Sequence, residues 1–157
     1  MEKPNEFHKI LITFTITFLT LTHILTWYGI THQGLVEADV PVARLIQMYG
    51  APIGLLINYV FWLLIILPIW FLWVQFPLRL KQKDESLAAV NLIATFLFTF
   101  VFMWFFWKIF FDFANDAATV FFRSEAVLPF IKSTTYAIFA LILAAIYLIY
   151  VIHRKRD

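Results

Sequence analysis

Four stretches of this chain, residues 10–30, 51–75, 87–111 and 134–152, are almost free of formal charge. Each is close to the ~20 apolar residues that a helix needs to cross a hydrocarbon core of ~30 Å. Lys108 is the only Asp, Glu, Lys or Arg inside any of them. Across 157 residues, 62% are apolar, 20% are aromatic and 14% are charged. A water-soluble domain of that length has too little interior to hide so much apolar surface, which makes lipid the solvent for most of it. The expected fold is therefore all-α: an integral membrane four-helix bundle forming a single transmembrane domain over residues 1–157.

The ends of the expected helices carry local signals. Pro52 suits the first turn of the second span, where a missing N–H costs nothing. Asp84, Glu85 and Ser86 suit the start of the third, through capping and the helix dipole. Pro68 lies inside the second span and removes a backbone donor, predicting a kink near residues 64–68. The first apolar run is as long as a full span and lacks a short hydrophobic core followed by a small-residue cleavage site, so it reads as a retained helix.

Orientation follows from lysine and arginine. Lys3, Lys9, Arg79, Lys81, Lys83, Arg154, Lys155 and Arg156 fall on one side of an even number of spans. Arg44, Arg123 and Lys132 fall on the other, with Lys108 near that end of the third span. The positive-inside rule places both termini and the 79–86 loop in the cytoplasm of a cell with the protein in its plasma membrane.

The outer connections look partly structured. Asp39 reads as an N-cap and Pro41 as the start of a short helix, with Val42, Leu45, Ile46 and Tyr49 on one face and Gly50 ending it. Such a helix lies along the membrane surface or caps the bundle. The second outer stretch, residues 112–132, is where the third helix can continue before Pro129 interrupts it.

Polar groups inside spans are the best functional clue, because unpaired ones are expensive in lipid. In the first span, Thr13, Thr17 and Thr20 share one helix face, and Thr15, Thr22 and Thr26 share nearly the opposite one. A threonine can satisfy itself by bonding its own i−4 carbonyl, or a stripe of them can pack against a neighbouring helix. His23 has two readings: a histidine hydrogen-bonded to a threonine or to another subunit, or a metal ligand, haem ligand or proton relay. Asn58 and Asn91 read as interhelical hydrogen-bond partners.

A further constellation lies toward the outer face. Lys108, Asp112 and Asn115 share a helical stripe, with Asp116 at its flank. The first outer loop brings His32, Glu37 and Asp39 to the same membrane side. Together His32, Glu37, Asp39, Asp112, Asn115 and Asp116 supply donors suited to a divalent metal. The alternative is a set of solvated headgroup-level side chains, with Lys108 snorkelling outward and pairing with Asp112.

The absence of cysteine removes disulfides, thiolate catalysis and cysteine-ligated clusters. No Walker A motif, dinucleotide glycine fingerprint, H-E-x-x-H or G-x-S-x-G is present. A net charge of +2 gives no reason to expect nucleic acid as a partner. The stretch Thr26-x-x-Gly29-x4-Gly34-x-x-Glu37-x-Asp39-x-Pro41, followed by Gly50, resembles an uncharacterised family of small prokaryotic four-helix integral membrane proteins of undefined function. The Asn115-containing end of the third span is similar in style. Asp39 stands where that pattern has asparagine, an extra residue precedes the proline, and His23 stands where an aspartate is expected. The resemblance covers most of the chain and implies topology and source, but no activity.

The functional expectation is a non-catalytic accessory or structural subunit of a larger membrane complex. Bound lipid is expected and no cofactor. Its helices are rich in Phe, Leu, Ile and Trp, as in residues 102–107, and poor in internal chemistry. A small membrane enzyme or metal-binding protein using the outer acidic and histidine cluster is the second reading, and an oligomeric transporter or channel the third.

Overall fold

In a computed structural model, five helices form, α1 Glu6–Gln33, α2 Val40–Tyr49, α3 Ala51–Arg79, α4 Glu85–Phe122 and α5 Ser133–Arg154. The structure describes residues 6–37, 39–79, 85–122 and 133–154. Lys3, Lys81, Lys83, Asp84, Arg123, Pro129, Lys132, Lys155 and Arg156 lie outside the described residues, as does most of the 79–86 loop. No strand is present among those described. Three stretches, Phe7–Gln33, Ala51–Val74 and Ala89–Phe122, are each long and apolar enough to cross a membrane. The apolar part of α5, Thr135–Tyr150, is shorter. This is a transmembrane helical protein by length and composition, with three long candidate spans where the sequence pattern suggests four.

The helices outrun their apolar cores. The chain has few breakers, and a helix satisfies its own backbone wherever lipid or protein surrounds it. α4 covers 38 residues, about 57 Å at ~1.5 Å per residue. It therefore carries Asp112, Asn115 and Asp116 within its length, whereas the apolar run stops at Phe111. α3 continues past Pro68, whose missing N–H deprives the Leu64 carbonyl of its intrahelical donor.

The fold divides into two compact units. The first comprises Met1–Ile12, Ile66–Lys108 and Ile131–Asp157. Its core is aromatic. Trp73 has no exposed surface and stacks on Phe102 at 4.8 Å between ring centroids. The His8 and Tyr147 rings meet it edge to face at 4.3 and 5.4 Å. Tyr147 Oη and His8 Nε2 are 2.8 Å apart, and Trp70 Nε1–H donates to the His8 carbonyl at 3.3 Å. Ala140 and Ala144, both fully buried, precede Tyr147 on one face of α5. Small residues at i and i+4 let helix backbones approach closely where burial from water supplies no drive.

The second unit comprises Thr13–Ile65 and Ile109–Phe130. Phe18 packs on Phe110 and Phe113, each at 5.2 Å, and Gln33 Nε2–H donates to the Val120 carbonyl at 3.1 Å. Contacts advance in the same direction along both elements, so α1 and α4 run parallel here. α1 ends where Gly34, at φ +69°, turns the chain back so that Leu35 N–H bonds the Gly29 carbonyl at 3.1 Å. α2 matches the face read from sequence in burying Val42 and ending at Gly50, whose φ of +80° suits glycine. Asp39 occupies the N-cap position but makes no side-chain cap. Its N–H instead donates to Glu37 Oε1 at 2.8 Å, a local turn that takes up the carboxylate expected to face outward.

Candidate functional site

The polar residues of the second unit gather on two seams. On the α1–α3 seam, Thr20 Oγ1 donates to the Ile16 carbonyl at 2.8 Å and also lies 3.0 Å from Tyr59 Oη. A hydroxyl has one proton, so Tyr59 is the donor in the second bond. One turn on, His23 Nδ1–H donates to the Leu19 carbonyl at 2.8 Å, and Asn58 Nδ2–H donates to His23 Nε2 at 3.0 Å. This pattern puts the ring proton on Nδ1. Both imidazole nitrogens are engaged, which leaves neither free for a metal. The partner is Asn58, an interhelical amide as read from sequence, rather than the threonine or second subunit expected for His23.

Beside this seam is an open groove of about 290 Å³, lined by Thr20, His23, Ile24, Trp27, Pro52, Leu55, Leu56 and Tyr59. Its three hydrogen-bonding side chains from Thr20, His23 and Tyr59 are turned toward partners, so carbon dominates the wall. The Trp27 indole is 40% exposed at one end.

On the α1–α4 seam, Thr26 Oγ1–H donates to Asp116 Oδ2 at 3.1 Å. Thr119 Oγ1–H caps the Asn115 carbonyl at 3.0 Å. Thr22 Oγ1 and Asn115 Oδ1 are buried atoms with no hydrogen-bond partner among the described residues. The buried threonines Thr95 and Thr99 of the first unit bond the i−4 carbonyls of Asn91 and Thr95, each at 2.7 Å. Asn91 itself is buried. Threonine thus follows both readings, self-satisfied on α4 in the first unit and helix-bridging at Thr26.

Thr99→Val, isosteric and losing only a local bond, is expected to change unfolding free energy by less than about 1 kcal/mol. Thr26→Val breaks a bond to a carboxylate and is expected to cost about 1.5–3 kcal/mol. Unfolding in mixed micelles checks both, and equal losses would contradict the distinction.

The six residues proposed for a metal are not brought together. His32 is exposed, stacked on Tyr28 at 4.8 Å, with Thr31 Oγ1 2.7 Å from its Nδ1. Glu37 and Asp39 form their own turn. Asp116 faces Thr26, and Asp112 and Asn115 are part-buried along α4. Among the described residues no three His, Asp or Glu side chains form a metal-holding group. Lys108 belongs to the first unit and is part-buried. The His8–Trp73–Tyr147 cluster escapes sequence reading because its members are 139 positions apart at the extremes and no local period links them. No protein-family model, curated protein or solved structure matches this chain.

Proposed function

We propose that this protein is a non-catalytic, accessory or structural subunit of a larger complex in a prokaryotic plasma membrane. It crosses the bilayer four times, with α5 as the fourth span and both termini cytoplasmic. The observation that carries the reading is the outward-facing apolar surface. Only 11% of the apolar stretch of α3 is buried within the protein, and Ile53, Leu56, Phe61 and Leu64 on it are each more than half exposed. The same is true of Ile138, Ile142, Ile146 and Ile149 on α5. Exposed carbon on that scale needs lipid or protein cover. The polar side chains inside are mostly committed to structural bonds, such as Asn58–His23 and Thr26–Asp116, and a chain built this way supplies surface and shape more than chemistry. The surplus of lysine and arginine at both termini and in the 79–86 loop supports the orientation.

Chemical cross-linking in native membranes, followed by gentle extraction and native mass measurement, tests the reading. Reproducible species of defined mass, containing this chain with other membrane subunits, are expected. A protomer of 18.5 kDa carrying only lipid would overturn it.

A further inference from the structure

The groove on the α1–α3 seam has properties that neither a packing defect nor a polar catalytic pocket combines. Its volume, about 290 Å³, matches on the order of ten methylene groups, taking each as slightly smaller than a water's ~30 Å³ share of the liquid. It is open along one side, which suits a chain arriving laterally from a bilayer. The hydrogen-bond pattern decides what the wall offers. Thr20 gives its proton to Ile16 and Tyr59 gives its own to Thr20. His23 donates to Leu19 through one nitrogen and accepts from Asn58 through the other. The polar side chains that line the groove therefore have their protons already placed, and a polar headgroup would find little there to bond.

The rim differs from the floor. Trp27 lies one helical turn beyond His23 and Ile24, toward the Gly34 turn. Its indole is exposed and makes no Nε1 hydrogen bond among the described residues. Indole N–H is a donor only, so what it can receive is an acceptor. Tryptophan at the ends of spans is enriched where one face meets hydrocarbon and the other meets polar headgroups.

We infer that this groove is a lipid site, holding one acyl chain of a glycerophospholipid against Ile24, Leu55 and Leu56, with the ester carbonyl accepting from Trp27 Nε1–H. The inference rests on the membrane placement proposed above and is independent of the subunit reading. A bulky side chain placed in the groove displaces chain methylenes one by one. Ile24 is 52% and Leu56 60% exposed, so enlarging either intrudes on the groove without overfilling the buried core.

The test uses full-length protein reconstituted in dioleoylphosphatidylcholine bilayers, extracted into mild detergent and progressively delipidated, with retained lipid counted by native mass measurement. The wild type is expected to hold one phosphatidylcholine after bulk lipid is gone. Leu56→Trp is expected to lower that retention about tenfold, the loss of roughly two buried methylenes. Leu64→Trp is the control, at a position 69% exposed and outside the groove, and is expected to retain lipid like the wild type. Trp27→Phe keeps the ring and removes the donor, and is expected to weaken retention less than Leu56→Trp does. Equal retention in Leu56→Trp and Leu64→Trp overturns the site. So does an adduct from native membranes that proves to be an isoprenoid lipid or a protein segment in place of the phospholipid. A protein that needs no detergent at all defeats the membrane placement instead, and the two failures are distinguishable.

Discussion

Trp73→Ala is expected to lower the free energy of unfolding by about 3 kcal/mol, the lower end of the range for deleting a buried large aromatic. Trp73 is wholly enclosed, stacked on Phe102 and flanked by His8, Tyr147 and Phe7. In a lipid-embedded chain, part of the transfer contribution disappears, because hydrocarbon solvates an exposed indole almost as well as the core does. What remains is the cavity and the lost dispersion contacts, which is why the lower end is expected. For the same reason Phe71→Ala, 44% exposed on the same helix, is expected to change stability by less than about 1 kcal/mol. Equilibrium unfolding in mixed micelles measures both. Similar losses for the two variants would show that Trp73 is not packed as described.

Gly54→Ala is expected to cost about 2 kcal/mol, for a different reason. A Cβ built there would lie 2.7 Å from Ile46 N and from the Leu45 carbonyl carbon. Both are backbone atoms of α2, so the strain cannot be relieved by a rotamer change. The chain must open the corner at Gly50, where Gly50 N–H bonds the Ile46 carbonyl at 2.8 Å and Gly54 N–H bonds the Gly50 carbonyl at 2.9 Å. Gly34→Ala separates steric from conformational cost. A Cβ at Gly34 would meet nothing within 4 Å, and the φ of +69° leaves only the left-handed backbone penalty, about 1 kcal/mol. A melting temperature that falls further for Gly34→Ala than for Gly54→Ala would refute the close approach of α2 and α3.

Most of the secondary structure is legible from period and punctuation. The long helices follow from unbroken apolar runs, and α2 follows from Pro41, the Val42–Leu45–Ile46 face and Gly50. Their lengths are less legible. Hydropathy marks where a helix meets lipid and is silent on where its backbone stops, so α4 extends to Phe122 through residues too polar for a span. Gly54 illustrates a second blind spot. In the sequence it is a small residue early in an apolar run, and only the tertiary corner shows that its missing side chain admits another backbone.

The candidate site is half visible in the sequence. His23, Asn58 and Thr20 stand out as polar groups in an apolar setting, and the cost of leaving them unpaired predicts that they find partners. It does not predict which partners. Asn58 meets His23 because α3 returns beside α1 at one particular register, which hydropathy does not encode. The acidic and histidine residues of the outer connections have a membrane side in common, a criterion too coarse for coordination chemistry. Glu37 and Asp39 are two residues apart and bond locally, while Asp116 is drawn to Thr26 by the parallel packing of α1 and α4.

Passage of the apolar helices across a bilayer, with α2 on one face and the loop between α3 and α4 on the other, is open to direct measurement. The chain contains no cysteine, so single-cysteine variants report position without background. Met48, 70% exposed on α2, and Lys81 in that loop are the sites to replace. In intact cells a membrane-impermeant maleimide is predicted to label Met48→Cys at once and Lys81→Cys only after permeabilisation. Labelling of both from the same side, or recovery of the protein in the aqueous fraction without detergent, would contradict it.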